Sequence, residues 1–335
     1  MRATDIRADY LRFFGDRGHA RITRSNLVPR EDPTTLFTGS GMQPLIPYLL
    51  GAPHPAGNRL VDSQPCFRAE DIDAVGDARH TTFFEMLGNW SLGDYFKDDQ
   101  LPWLFEFLTG VLGLDPARLY ATAFTGSTAL GIPRDDDSIR LWSELFAGAG
   151  VSAPVAELGD APRAASRGLG EARIALYDES QCWWSRSGPP GTMPVGEPGG
   201  PDSEVFYLFP QVEHDPAFGQ HCHPHCDCGR FVEIGNSVFM QYRRAQEGFE
   251  PLPQPNVDFG GGLERLAMAV IDSPEVFSVD LLAPIMREVS ALARRDDPDR
   301  RALRIVADHA RAVTFLALDG VEPSNNTQGY VMRRF

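Results

Sequence analysis

The spacing of apolar and polar positions predicts an α+β protein. Apolar positions with helical spacing predict helices over residues 3–17, 97–113, 138–147, 262–271, 279–294 and 301–318. Short β-prone stretches predict strands over residues 36–38, 64–70, 79–89, 119–124, 205–209, 230–243 and 256–259. Because the strands do not alternate regularly with helices, we expect an antiparallel sheet flanked by helices and followed by a helical segment.

One further segment has no predicted element, and for the last helix the sequence also predicts which face is buried. Residues 151–173 are rich in Ala, Gly, Pro and Arg and predict a surface connection without a defined element. The last helix is expected to turn one apolar face toward the core, formed by Leu303, Val306, Ala310, Val313 and Ala317.

The strand pair 64–70 and 79–89 carries the first candidate chemistry. An acidic loop joins the two strands, and Arg68 on the first and Arg79 and His80 on the second would converge beside it. Cations held on rigid strands suit a polyphosphate. An ordinary hairpin with a surface arginine and a core histidine is the alternative.

A second candidate site begins with Asp258. A predicted strand ends there, Gly260, Gly261 and Gly262 follow, and Arg265 lies in the first turn of the next helix. Glycines allow the backbone to approach a ligand closely, and a helix start attracts anions. The alternative for Asp258 is a helix N-cap.

Cysteine and histidine are concentrated between residues 221 and 229. Cys222, Cys226 and Cys228 predict a structural Zn²⁺ site, for which we take His223 as the fourth ligand, with His221, His225 and His214 as alternatives. Three thiolates and a fourth ligand would close the site, which argues against a catalytic metal. A reduced loop without metal is the other possibility.

Composition and charge limit the partners. The chain has 335 residues, 42% of them apolar, and a net charge of −15, which argues against non-specific binding of nucleic acid over the whole surface. RNA contacts would need a local basic patch, such as those at residues 294–295, 300–304 and 333–334. No apolar run is long enough for a membrane span, and the start of the chain has no apolar signal region, so we expect a cytoplasmic protein without membrane contacts.

Several motifs together resemble the class II aminoacyl-tRNA synthetases. The pattern F-R-x-E followed by R-H-x-x-x-F at residues 67–84 is similar to their second motif, and G-x-G-x-x-R at 260–265 to their third. The run F-F-E-M-L-G-N at 83–89 and the strand at 231–241 resemble the alanyl family, in an archaeal-like or minimal bacterial form. Gly235 stands where that family has Trp, and it could mark a β-bulge that brings Glu233 and Asn236 together.

The resemblance implies the roles of individual residues. The catalytic residues would be Arg68 and Arg265. ATP would be bound by Arg68, His80, Phe84, Met86 and Arg265, with Glu233 as a ligand of Mg²⁺. Alanine would be bound by Trp184, Asn236, Val238, Asp258 and Gly260.

It also implies an organisation and a reaction. Residues 1–272 would form the catalytic domain, with a Cys/His insertion near 214–229, and residues 273–335 the truncated start of a helical tRNA-recognition domain. The expected reaction is activation of L-alanine by ATP and transfer to the acceptor stem of tRNA(Ala). Two alternatives stay open: a paralogue that serves a non-tRNA acceptor, and a non-catalytic, zinc-bearing RNA-binding module.

Overall fold

The computed structural model describes residues 1–29, 35–295 and 297–335. Within these ranges the α-helices are α1 Ala3–Gly15, α2 Ile46–Leu49, α3 Lys97–Glu106, α4 Asp136–Gly148, α5 Ala161–Arg167, α6 Leu263–Val270, α7 Ala283–Leu292, α8 Arg300–Leu318 and α9 Thr327–Arg334. The strands are β1 Ala20–Arg21, β2 Arg59–Phe67, β3 Phe83–Leu92, β4 Leu119–Phe124, β5 Val155–Gly159, β6 Ile174–Tyr177, β7 Trp183–Ser185, β8 Pro198–Leu208, β9 Phe231–Arg244 and β10 Phe249–Gly262.

All ten of these strands belong to one sheet. Its order is β1-β2-β3-β10-β9-β8-β4-β6-β5, and β7 pairs with β8 beside this path. The central pairs from β2 to β4 are antiparallel, as the sequence predicts. Both edges of the sheet add parallel pairs that the sequence does not predict: β1 runs parallel to β2, and β4, β6 and β5 run parallel to one another.

One face of the sheet is covered by helices. The largest apolar core joins α1, α3, α4 and α6 to the inward-facing residues of the central strands. Helix α1 contributes Ile6, Tyr10, Phe13 and Phe14 at the spacing that places them on one face. Since successive strand residues alternate between faces, the opposite face of the same strands is left to form a cleft.

Some local predictions differ from the structure. The predicted strand at 36–38 is irregular chain in which Phe37 and Thr38 are buried, and the preceding residues 30–34 lie outside the described ranges. Residues 151–173, for which the sequence predicts no element, contain β5 and α5. Gly260, Gly261 and Gly262 belong to β10, so this strand runs three residues further than predicted, up to the start of α6.

Helix α8 lies over the start of β3 with a different face from the predicted one. Val306, Ala310 and Ala317 are exposed, whereas Asp308 and Arg311 are buried. Polar contacts determine which face of α8 is buried, because Asp308 accepts hydrogen bonds from the backbone N–H and hydroxyl of Thr82 at 2.8 and 2.7 Å. Apolar periodicity alone cannot find a face that is anchored by charged side chains.

The C-terminal helices also share an apolar core with the sheet. Ala312 and Leu316 of α8 and Met332 of α9 pack with Phe67 and Phe83. The domain boundary expected at residue 272 stays a prediction. Among the described residues, no helix has both the length and the apolar character that crossing a membrane requires.

Candidate active site

Arg68 and Arg265 line the same cleft on the open face of the sheet. Arg68 follows β2 directly, and Arg265 lies in the first turn of α6, so two elements far apart in sequence supply the two cations. The cleft is lined by further predicted site residues, namely His80, Phe84, Met86, Glu233 and Gly260. Seven of the predicted residues therefore surround one space.

Each arginine is held by contacts within the site. The Arg68 Nε–H donates to the Gly39 carbonyl at 3.0 Å, and its guanidinium carbon lies 4.9 Å from the centre of the Phe84 ring. The Arg265 Nη1–H donates to the Glu233 carboxylate at 3.0 Å and to the Glu233 carbonyl at 3.2 Å. The predicted ATP-binding arginine and the predicted Mg²⁺ ligand are thus paired with each other.

Asp77 orients the residues that open β3. Its carboxylate accepts hydrogen bonds from the backbone N–H groups of Arg79 and His80, both at 2.8 Å, and lies 2.7 Å from His80 Nδ1. Although burial alone would raise it, these hydrogen bonds hold the pKa of Asp77 well below its usual range. Asp77 is therefore an anion that fixes His80 at the edge of the cleft.

Gly260, which lines the cleft, belongs to a row of paired residues that includes a second glycine. Gly88 on β3 and Gly260 on β10 are paired in the sheet, and Asn236 on β9 continues the same row. A Cβ at Gly88 would lie 2.2 Å from the Trp90 ring, and one at Gly260 would lie 2.8 Å from the Met86 sulfur. Glycine at these two positions therefore makes room for the Trp90 ring and the Met86 side chain, which pack directly against the backbone of this row.

Asp258 lies one row further along the same face. It is paired with Trp90 on one side and with Val238 on the other, and it is two residues from Gly260. The Trp90 Nε1–H donates to the Asp258 carboxylate at 2.7 Å. Burial raises the pKa of Asp258 to about 7, against the opposing effect of this hydrogen bond. Asp258 is in a strand, so the N-cap alternative is wrong.

The other predicted alanine-binding residues surround Asp258. Val238 is buried in an apolar cluster with Trp90 and Met240, and Trp184 packs against that cluster. Trp184 is paired with Gly200 on β8, and Asp202 on β8 is paired with Val238. These positions follow one another across the same face and form a small, mainly apolar wall.

The β-bulge expected at Gly235 is present. Two residues of β8, Val205 and Phe206, face Gly235 and Glu233 of β9, so one extra residue lies between them. This shift turns Glu233 to the face that carries Asn236. A Cβ at Gly235 would lie 2.8 Å from the Phe259 ring on the helix-covered face, so Gly235 does not form a wall of the cleft.

Asp202 and Glu204 are two buried carboxyl groups beside Asn236 that the sequence motifs do not indicate. Asn236 Nδ2 donates to Asp202 at 3.0 Å, and Glu204 is paired with Asn236 in the sheet. Burial, and secondarily the charge of Glu204, raises the pKa of Asp202. The alternation of Asp202, Ser203 and Glu204 on a strand was the available signal, since it places both acids on one face.

Further cleft residues were also not predicted as site residues. Asp71, Arg79, Thr81, Gly262, Glu264 and Val276 line the cleft. The sequence places Arg79 among the cations that suit a polyphosphate, but the predicted ATP-binding set does not include it. Trp90, the donor to Asp258, was missed because its position depends on strand register rather than on a local motif.

The Cys/His cluster gathers four potential metal ligands. Ligand atoms of His214, Cys222, Cys226 and Cys228 all lie within 4.8 Å of one another. The sulfurs of Cys222 and Cys228 are 3.5 Å apart, and Cys226 Sγ is 3.7 Å from His214 Nδ1. A tetrahedral ion with ligand bonds of about 2.0–2.3 Å requires ligand separations of about 3.5–3.8 Å. The donor set therefore fits zinc.

His223 does not join this cluster, contrary to the prediction for the fourth ligand. Its ring is buried, and Nδ1 lies 3.0 Å from the Tyr177 hydroxyl. His214 takes the position beside the thiols. Burial alone would raise the pKa of Cys228, but hydrogen bonds, first from His214, lower it to about 7. The cluster therefore favours a thiolate at Cys228, the form that binds a metal.

Comparison with known proteins shows the family of this chain. The chain belongs to the family described as tRNA synthetases class II (A), which matches residues 5–335. Alanine–tRNA ligase of Treponema pallidum is 41% identical over 343 residues, covering 100% of this chain and 51% of that protein. The enzymes of that name from Treponema denticola and Rubrobacter xylanophilus are 40% and 39% identical over 98% and 100% of this chain.

The chain spans about half the length of the Treponema relatives and 36% of the Rubrobacter protein. Among solved structures, apo histidyl-tRNA synthetase of S. aureus is 12% identical with a TM-score of 0.42, covering 82% of this chain and 67% of that chain. The match of the family over residues 5–335 and the similarity to the alanine–tRNA ligases confirm the family resemblance seen in the sequence.

Proposed function

We propose that this chain is the catalytic portion of an alanine–tRNA ligase. In the proposed reaction, ATP and L-alanine give alanyl-adenylate and pyrophosphate, and the alanyl group then passes to the 3′ end of tRNA(Ala). The observation that carries this proposal is the single cleft bordered by Arg68 and Arg265, with Asp258 two residues from Gly260 on the same face.

The proposed chemistry needs positioning and positive charge rather than a side-chain nucleophile. A carboxylate oxygen of alanine attacks the α-phosphorus of ATP, and the bond to pyrophosphate breaks. Arg68 and Arg265 offset the negative charge that develops, and the rigid strands hold the reactants together. Phe84 offers a ring for the adenine, and His80 faces the terminal phosphates.

Asp258 is proposed to hold the amino group of alanine, and its ionised form pairs with the ammonium. Val238 and Trp184 would bound the methyl group, with Asn236 beside them. Such a small apolar wall excludes larger side chains by size. It discriminates against glycine by only about 1–3 kcal/mol, because only one methyl group differs.

Two metal ions belong to the proposal. Glu233 offers an oxygen ligand at the cleft for Mg²⁺, which supplies positive charge beside the phosphates when it is bound with ATP. We propose a structural zinc held by His214, Cys222, Cys226 and Cys228. Freshly purified protein should contain about one equivalent of zinc, and metal analysis that finds less than half an equivalent contradicts this site.

Contact with the tRNA acceptor stem is proposed for the C-terminal helices, within the helical domain expected from residue 273. Helix α9 carries Arg333 and Arg334 in its last turn, both exposed. The location expected from the sequence, the cytoplasm, is part of the same proposal.

Alanine-dependent exchange of pyrophosphate into ATP tests the proposal directly. We expect exchange with metal-replete protein, dependent on L-alanine, and acylation of tRNA(Ala) in a separate assay. Exchange without acylation would favour a paralogue that serves another acceptor. No exchange, with zinc bound and the fold intact, would leave the RNA-binding module as the better explanation.

A further inference from the structure

The loop that contains the three cysteine ligands contacts the candidate active site at two points. We define the metal loop as residues 221–229. The Arg79 Nη2–H donates to the Asp227 carbonyl of this loop at 2.5 Å. His225 Nε2 lies 2.9 Å from a Glu204 carboxylate oxygen, close enough for an ion pair although not aligned as a hydrogen bond. The proposed metal site and the proposed substrate site are therefore in direct contact.

Arg79 lines the nucleotide cleft together with Arg68 and Arg265. Its side chain is 20% exposed, and its guanidinium lies 3.9 Å from the Asp77 carboxylate, beyond hydrogen-bonding distance. Within the described residues, the Asp227 carbonyl is the acceptor at hydrogen-bonding distance from this guanidinium. The direction of this guanidinium therefore depends on where the metal loop holds that carbonyl.

The position of Asp227 in the loop makes this dependence strong. It lies between two of the proposed ligands, Cys226 and Cys228, so an ion bound by both fixes the backbone that joins them. Gly229 follows with a φ of +85°, and a Cβ there would lie 3.1 Å from Arg79 Nε. The loop backbone thus packs against the guanidinium as well as accepting its hydrogen bond.

We propose that metal occupancy of the Cys/His cluster sets the affinity of the cleft for ATP, because the metal loop orients Arg79 as a third phosphate-binding arginine. This inference rests on the nucleotide site and the zinc site proposed above and adds a coupling between them. A structural metal that only stabilised its own loop would not change the affinity of a site on the open face of the sheet.

ATP binding measured by calorimetry without alanine tests this coupling independently of catalysis. Zinc is removed with a chelator, the chelator is dialysed away, and Mg²⁺ is restored before titration. Loss of one charge-assisted contact corresponds to an affinity about tenfold weaker or more, which we expect for the zinc-free protein. Arg79→Ala should bind ATP as weakly as the zinc-free protein, and zinc removal should then cause no further loss.

An equal effect of zinc removal on the wild-type protein and on Arg79→Ala would overturn the proposal, because the coupling would not pass through Arg79. Circular dichroism of the zinc-free protein shows whether its fold is retained. If the zinc-free protein loses its fold, the coupling is tested instead with a variant that keeps all four proposed zinc ligands.

Gly229→Ala is that variant. The added methyl group pushes against Arg79, and we expect full zinc content with weaker ATP binding. Gly320→Ala is its matched control, since Gly320 has a φ of +86° and a Cβ there would meet nothing within 4 Å. Gly229→Ala protein that keeps its zinc and binds ATP as tightly as Gly320→Ala would overturn the proposal.

The outcomes also separate this inference from the proposed function. Metal-replete wild-type protein that does not bind ATP at all contradicts the proposed function itself. Protein that binds ATP with an affinity independent of zinc contradicts only the coupling between the metal loop and Arg79.

Discussion

Replacing Asp258 by Asn should make the protein more stable above neutral pH. Burial raises the pKa of this carboxyl from its ordinary value near 3.8 to about 7, so folding favours the protonated form. A group of this kind contributes stability below its unfolded pKa, and that contribution is lost as the pH rises toward about 7. At pH 8 this difference between the folded and unfolded pKa values lowers the free energy of unfolding by about 4 kcal/mol, relative to a group whose pKa does not change on folding.

Asparagine avoids this cost because it has no charge to bury, while its side-chain oxygen can still accept the hydrogen bond from Trp90. The advantage of Asp258→Asn should therefore grow with pH. Between pH 5 and pH 8 we expect it to increase by about 2–3 kcal/mol. Urea unfolding followed by tryptophan fluorescence at both pH values measures this change.

Asp297→Asn is the matched control, since it removes the same charge from an exposed position. We expect that variant to show little dependence of its stability effect on pH. If Asp258→Asn changes the free energy of unfolding equally at pH 5 and pH 8, the reasoning from a buried, costly carboxylate is refuted.

The same variant should lose alanine binding. Without the carboxylate, the ammonium group of alanine has no ionic partner in a buried place, which corresponds to a loss of about a hundredfold or more in affinity. ATP affinity should stay within about twofold, because Asp258 is not among the residues that line the nucleotide cleft. A more stable protein that cannot bind alanine is the combined result we expect from calorimetry and unfolding.

Three further changes test other parts of the structure. Arg68→Ala should abolish pyrophosphate exchange with an unchanged circular dichroism spectrum, and near-normal exchange would remove Arg68 from the mechanism. Asp308→Ala leaves the backbone N–H and hydroxyl of Thr82 without their buried acceptor and should cost about 2–4 kcal/mol in urea unfolding, whereas a change below about 0.5 kcal/mol would show that this contact does not anchor α8. Arg333→Glu should weaken tRNA acylation at least severalfold without altering exchange, and an equal effect on both would contradict its proposed place on the acceptor stem.

The central part of the fold could be predicted because its signals are local. Strand β4 has the predicted bounds of residues 119 and 124, and β2 and β3 follow from the aromatic and β-prone run around the acidic loop. The parallel strands at the sheet edge could not be predicted, because β5 lies in a segment of Ala, Gly, Pro and Arg. Its pairing with β6 joins positions about 20 residues apart.

In the candidate site, too, residues within local motifs could be predicted, whereas those that depend on contacts between distant strands could not. Arg68 and Arg265 were predicted from motifs, and their common cleft follows from the register that aligns β3 with β10. His214 could not be chosen over His223 from spacing, because His223 lies between the cysteines in sequence yet turns toward Tyr177. Asp202 and Trp90 depend on neighbours across the sheet, which the linear order of residues does not reveal.

The glycine backbone that lines the cleft at Gly260 has a thermodynamic consequence. Binding a ligand on flexible side chains costs rotamer entropy, which amounts to about 0.5–1.5 kcal/mol for each side chain that becomes immobilised. Gly260 has no side-chain rotamers to lose, and its backbone is already fixed by pairing with Gly88 on β3 and Asn236 on β9. A nucleotide that binds against this backbone therefore causes no further loss of its conformational entropy, because that entropy was lost when the protein folded.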